Sequence, residues 1–513
     1  MNQQRLSALD TAFVYGESQR IPLHVGGLSI IEAGPLRQAD GTIDIGRVRA
    51  EIASRLHLIP RFRQRLVEVP LDSARPVWVD DVRFNVDHHV HLTGLPRPGR
   101  RRQLLDLMAR LQAGQMDRNR PLWEIWYVDG LDDDSVIGMI TKIHHCMIDG
   151  TSGIELGTLL YDLTPERTHV EPVPWTPAPE PTPTELVMQA MKERALGTVE
   201  AARSVAETIR NPAKPIRHVT NFLRALGTLT SEIDKLPFNE RVSSRRRFDT
   251  VSVELDKVLE ARAALGVKVN DVVLGAVTAA LREYCRNRGI KPESLKRIKA
   301  LVPVDAREPG DTELGTKVSS IFVELPMAEK DPCKRVQVVA RRTRELKESN
   351  MADGANMWSR VTSVLPPTLL RLTAYLQFRG LMSGSNVMVS SVRGPAVPFY
   401  SFGGQVIEFH PYFGVQDYLG LIIVIVSYAG RMQIGLTTDP DLMPDLKVFV
   451  DALPKAIDEI HRAAVMPAPV ARKVSSAAVG KAAVKPRRKR RAARAGVTTR
   501  AESRKHERGK TRK

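Results

Sequence analysis

The sequence predicts a mixed α/β protein of two successive halves, joined by a long tether and closed by a disordered basic tail. Three observations carry this. At 513 residues the chain exceeds the size at which one hydrophobic core usually stops growing. Residues 170–183 place Pro172, Pro174, Pro177, Pro179, Pro181 and Pro183 at near-alternate positions, which excludes a helix or a central strand. Of a formal net charge of +18, residues 466–513 hold 17 Lys and Arg against Glu502 and Glu507, so the preceding body is close to neutral. The resulting division is a first domain over 1–165, a Pro-rich and helical linker over 166–245, a second domain over 246–465, and the tail.

Within the first half, residues 136–143 are rich in β-branched side chains and follow the acidic turn Asp132-Asp133-Asp134, the pattern of a strand. That strand runs into His144-His145-Cys146-Met147-Ile148-Asp149-Gly150. After the turn pair Asp149-Gly150, Ile154, Leu156, Leu159 and Leu160 predict a helix ending before Pro165. Beyond the proline segment, residues 185–234 read as helical with a break at Asn211-Pro212. The second half opens with the alternating strand Thr250-Val251-Ser252-Val253-Glu254-Leu255. Val272, Val273, Ala276, Val277, Ala280, Leu281 and Tyr284 then form one apolar helical stripe, with Asn270 at its start in the place of an N-cap. Residues 365–381 pattern as a helix that either packs or lies at a membrane surface. Residues 419–426 and 432–436 read as paired core strands.

Three cysteines, Cys146, Cys285 and Cys333, are too widely spaced for a CxxC pair or a disulfide framework, which points to a reducing compartment. The N-terminal residues lack the apolar stretch of a secretory signal. The most apolar run, over 419–426, falls far short of the ~20 residues that span a bilayer, so membrane contact is expected to be peripheral.

The double histidine carries the chemistry. Adjacent side chains of an extended segment point to opposite faces, so one of His144 and His145 faces a cleft while the other packs. The same divergence argues against a metal, since zinc needs three or four converging ligands. A neutral imidazole with a pKa near ~6.5 can take a proton from a hydroxyl. Cys146 points away from its neighbour in an extended chain and is not expected to act as a nucleophile. Trp123 reads as a core anchor.

The segment from His144 to Gly150 resembles the HHxxxDG signature of the coenzyme A-dependent acyltransferase superfamily, which includes condensation domains of peptide synthetases. Over residues 1–465 the chain is similar to the bacterial wax ester synthase/diacylglycerol acyltransferase family. The resemblance rests on Leu6-Ser7-Ala8-Leu9-Asp10, Pro22-Leu23-His24-Val25-Gly26-Gly27, Arg120-Pro121-Leu122-Trp123-Glu124 and the segment from Lys142 to Gly150. It continues through Arg245-Arg246-Arg247-Phe248, Val269-Asn270-Asp271-Val272-Val273-Leu274, Ser427-Tyr428-Ala429-Gly430 and Pro444-Asp445. It implies two chloramphenicol-acetyltransferase-like domains around a central tunnel. It also implies His145 as proton acceptor, with His144 beside it and Asp149 as structural support, paired with an arginine such as Arg307. Gly150 and Asn270 are implied at the substrate. The chain departs from the family pattern at Ser391-Val392-Arg393-Gly394-Pro395, where Asn-Val-Pro-Gly-Pro is usual, and at Asp305 and Thr316, changes that bear on acceptor choice.

The expected activity is direct transfer of an acyl group from acyl-CoA, as co-substrate, to diacylglycerol or a long-chain alcohol, without a resident cofactor or metal. The expected location is cytoplasmic, peripheral to the inner face of the membrane or to lipid inclusions. The basic tail is expected to bind anionic lipid or nucleic acid. A weakened, lipid-binding scaffold tethered by that tail is the rival from another class, and a condensation-type enzyme acting on a carrier-bound thioester the third.

Overall fold

A computed structural model of the chain describes residues 4–147, 157, 159–167, 170–193, 195, 232–305, 318–348, 367–379 and 384–465. Met1–Ala468 form one compact unit, and the basic tail expected over 466–513 lies outside the described residues.

Two six-stranded sheets organise this unit. In the N-terminal half, β1 (His24–Glu32), β4 (Val90–Gly94), β5 (Trp123–Asp129) and β6 (Val136–His144) lie in one sheet, while β2 (Gln64–Val67) and β3 (Val77–Asp80) pair apart from it. Its helices are α1 (Ala8–Gly16), α2 (Ile45–Arg55) and α3 (Arg101–Ala113). Helix α1 begins where the Ser7 hydroxyl accepts the Asp10 N–H at 3.0 Å and ends at Glu17, whose N–H reaches the Phe13 carbonyl. Leu104, Leu105 and Met108 of α3 pack on Leu28 and Ile140 on one face of the sheet; Val14, Val48 and Ile52 pack with Ile125, Tyr127 and Met139 on the other. Each such burial contributes ~1.5–3 kcal/mol. Trp123 is a core anchor, as its sequence context predicts: its indole N–H donates to the Phe62 carbonyl at 2.8 Å and its ring stacks 4.4 Å from that of His89.

The second sheet runs in the order β7 (Arg247–Glu254), β14 (Arg431–Thr438), β13 (Leu421–Tyr428), β10 (Val387–Val392), β8 (Lys299–Asp305), β9 (Val318–Glu324). One face is covered by α4 (Leu255–Leu265), α5 (Val269–Asn287), α6 (Pro332–Glu348) and α8 (Leu446–Val465), which together form the largest core. Between α6 and α8 in sequence comes α7 (Pro367–Phe378), within the helix expected over 365–381. It buries Leu370, Ala374 and Phe378 and leaves Leu369, Leu372 and Tyr375 about half exposed. Among the described residues no single helix is long and apolar enough to cross a membrane.

The halves are not separate in space. β11 (Tyr400–Ser401) and β12 (Gly404–Phe413), from the C-terminal half of the sequence, complete the first sheet, whose order is β11-β12-β1-β6-β5-β4. β12 pairs antiparallel with β1 from Val25↔Phe413 to Ile31↔Val406. A sequence boundary at 246 therefore does not divide the sheets, because strand alternation specifies a buried face and not the edge a strand will join. Gly435 sits where β12 crosses β14: a Cβ there would lie 1.8 Å from the Pro411 carbonyl oxygen. The proline segment is irregular, as predicted, but it is strapped down. The Ala178 N–H donates to the Asp80 carboxylate at 3.0 Å, and the Arg63 guanidinium lies 4.5 Å over the Trp175 ring.

Candidate active site

Strand β6 delivers the two histidines to the seam between the sheets. The His144 N–H donates to the Leu122 carbonyl and the His145 N–H to the Leu23 carbonyl, each at 2.9 Å. Extended structure stops at His144, and His145–Met147 form a 3₁₀ turn. The alternation expected through Cys146 thus ends two residues early. The cause is local: the Cys146 N–H donates to His144 Nδ1 at 3.2 Å, a side-chain partner that replaces the sheet ladder. The thiol of Cys146 accordingly lies 2.9 Å from that same ring nitrogen instead of pointing away.

His144 is buried, and burial, opposed by the carboxylate of Glu17, holds its pKa down to about 3. His145 is only half-buried. Its ring stacks on Phe13 at 3.7 Å and meets the edge of Phe413 at 5.6 Å, and its Nδ1 is a buried atom without a hydrogen-bond partner. Burial holds its pKa down to about 4, so the imidazole is neutral at physiological pH. Phe13 and Phe413 belong to an apolar cluster drawn from both halves, in which Leu23, Phe378, Met388 and Ile422 are buried and Leu301 and Val424 partly buried. Burial pushes the Cys146 thiol well above its ordinary range, which leaves it protonated and a poor nucleophile.

Beneath the histidines lies Glu17, which the sequence reading does not single out. Its side chain is 2% exposed; Oε1 is 3.3 Å from His24 Nε2 and 3.7 Å from His144 Nε2, and Oε2 accepts from Arg118 at 2.8 Å. Burial opposes ionisation of this carboxyl, but the His24 and His144 rings and the Arg118 guanidinium outweigh it and hold the pKa well below the carboxylate range. Phe13 and Phe413 are likewise new, while Phe378 reads in the sequence only as part of the apolar stripe of the helix over 365–381. The available signal was position, since Phe13 and Glu17 fall between the two N-terminal segments that carry the family resemblance.

Asn270 is not the cap of α5. The helix starts at Val269, Lys268 occupies the capping position, and the Asp271 carboxylate accepts the Lys268 N–H at 2.9 Å. Asn270 is the second helical residue, and its Oδ1 is buried without a partner. Asp149, Gly150 and Arg307 lie outside the described residues, as does most of the helix expected after Gly150.

Residues 6–273 match the profile of the wax ester synthase/diacylglycerol acyltransferase catalytic domain, and residues 314–461 that of the WS/DGAT C-terminal domain. The chain belongs to the wax ester synthase/diacylglycerol acyltransferase family. A relative in Mycobacterium tuberculosis H37Rv, named probable diacylglycerol O-acyltransferase tgs1, is 29% identical over 443 residues, covering 86% of this chain and 92% of that protein. Among solved structures, the wax ester synthase/diacylglycerol acyltransferase of Marinobacter aquaeolei VT8 shares the fold with a TM-score of 0.64 at 24% identity, over 90% of this chain and 99% of that one. A starter condensation domain of rhizomide synthetase, solved with C8-CoA and Leu-SNAC, has a TM-score of 0.53 at 13% identity, over 90% and 94%. The mixed α/β acyltransferase fold expected for the family is the one observed.

Proposed function

We propose that this acyltransferase moves a fatty acyl group from acyl-CoA to the hydroxyl of diacylglycerol, and of long-chain alcohols, with His145 as general base. The observation that carries this reading is a neutral imidazole set between Phe13 and Phe413 in an apolar cluster at the seam of the two sheets. That environment suits an acyl chain and a lipid alcohol, and it keeps the base unprotonated.

In the proposed step His145 takes the hydroxyl proton as the acceptor oxygen attacks the thioester carbonyl. The C–O bond forms, the C–S bond breaks, and the imidazolium returns its proton to the departing thiolate. No acyl-enzyme forms, in keeping with the buried, protonated thiol of Cys146. Asp149 braces the turn, His144 packs beneath it, and Asn270 and Gly150 stand at the substrate. Acyl-CoA is a co-substrate and no resident cofactor or metal takes part. The enzyme works in the cytoplasm at the inner membrane face or on lipid inclusions, with the basic tail held to anionic lipid.

The test is purified protein with palmitoyl-CoA and either diacylglycerol or hexadecanol, following thiol release and ester product. Removing a general base typically costs ~100 to 10,000-fold in rate, the loss expected of His145→Ala. A wild type that releases no more thiol than this variant with any acceptor would remove the enzymatic reading and leave the scaffold.

A further inference from the structure

We propose that Glu17 is the positioning residue of this centre: its buried carboxylate selects the tautomer of His144 and thereby fixes the turn that presents His145. The inference rests on the reading of His145 as the base.

A neutral imidazole has one N–H and one lone pair. On His144 the lone pair is at Nδ1, because that atom receives the Cys146 N–H at 3.2 Å. The proton is therefore on Nε2, and Nε2 faces Glu17 Oε1 at 3.7 Å. A carboxylate only accepts, so the opposite tautomer would set a lone pair against a buried negative charge and, at its other end, an Nδ1–H against the Cys146 N–H. The charge at one end of the ring thus decides which atom the backbone meets at the other. That backbone contact ends β6 and opens the turn His145–Met147.

The same carboxylate acts on the opposite side of His145. Its Oε1 accepts the Leu23 N–H at 3.4 Å, and the Leu23 carbonyl in turn accepts the His145 N–H at 2.9 Å. His24, directly opposite His144 in the β1–β6 register, brings its Nε2 to 3.3 Å from Oε1. Helix α1, which ends at Glu17, also supplies Phe13, whose ring covers His145. Arg118 at 2.8 Å balances the charge, while the buried Lys142 is matched by Glu124 at 3.8 Å. A plain structural acid needs only the Arg118 and Leu23 contacts. What sets Glu17 apart is that its acceptor-only character is transmitted through the His144 imidazole to the backbone N–H of Cys146, the residue after the base.

The experiment is nitrogen-15 NMR of histidine-labelled full-length protein, with the His144 signals assigned by their loss in His144→Gln, alongside steady-state kinetics with palmitoyl-CoA and diacylglycerol. In the wild type, His144 is expected to carry its proton on Nε2 with Nδ1 bare at neutral pH; a proton on Nδ1 overturns the proposal, whether or not any variant folds. Glu17→Gln keeps the size but offers an NH₂, so it is expected to admit the other tautomer. Misplacing a reacting group by about 1 Å costs on the order of 100-fold, and that loss should fall on kcat with the KM for palmitoyl-CoA unchanged. Glu17→Asp, which keeps the charge, should restore the tautomer and part of kcat. Wild-type kcat in Glu17→Gln, or lost kcat with the His144 tautomer unaltered, also overturns it. Full activity in His145→Ala would instead remove the base reading while leaving the tautomer result standing.

Discussion

At His145 burial and chemistry pull the same way. A solvent-exposed histidine is partly protonated near neutrality and to that extent unavailable as a base, whereas burial holds the pKa of this one, set between the Phe13 and Phe413 rings, down to about 4. Protonation blocks the base, so the acidic limb of kcat/KM should have its midpoint near pH 4 and the profile should be flat through neutrality. A midpoint near the ordinary histidine value would show that the ring is solvated in the working enzyme. Stability should follow pH in a related way. His144, held at about 3 when folded, takes up its proton at the ordinary value of 6.5 when unfolded. The unfolded chain therefore binds more protons between these limits, and this contribution to stability is complete above the upper one and lost as pH falls toward the lower. Urea titrations across that window should show a loss that His144→Gln reduces, the full slope for one group being ~1.4 kcal/mol per pH unit.

Among the elements, β12 ties the two sheets together. It pairs with β1 along one edge and crosses β14 closely enough that Gly435 has no room for a side chain. Gly435→Val should cost at least the ~1–3 kcal/mol typical of overpacking, because the obstructing atom is a backbone carbonyl that cannot swing aside. A midpoint of urea unfolding unchanged from wild type would contradict the crossing geometry. Helix α5 gives a second lesson at this scale. Its stripe from Val272 to Tyr284 is plain in the sequence, yet its first turn is not, since Lys268 is a poor sequence signal for a cap and Asn270 a good one. The Asp271 carboxylate, reaching back to the Lys268 N–H, decided the start.

For the whole molecule, the entry of β12 from the C-terminal half into the first sheet makes the two halves one folding unit. Residues 1–245 expressed alone would leave β1 as a nine-residue unpaired edge, an invitation to aggregation, and are expected to be insoluble where residues 1–468 are soluble. A folded, monomeric fragment 1–245 would contradict this. Deleting the chain from Ala471 should leave turnover on detergent-dispersed acceptor unchanged while weakening binding to anionic vesicles, by roughly 1 kcal/mol for each basic residue near the surface. Equal binding of both forms in co-sedimentation would take the tail out of membrane recruitment.

The sequence by itself determined the local and the covalent. β-Branched and apolar runs placed β6, β13 and β14, alternation placed β7, three-to-four spacing placed α5, the alternate prolines marked the irregular segment, and the double histidine with its flanking motifs led to the acyltransferase family that the comparisons establish. Tertiary structure alone decided which sheet β12 joins and what surrounds the two histidines. Those outcomes depend on partners far away in the chain: Phe413 against His145, Glu17 against His144, Pro411 against Gly435. Periodicity records which face of a segment is apolar, while long-range pairing is settled by the summed packing of segments hundreds of residues apart, and no local pattern encodes it.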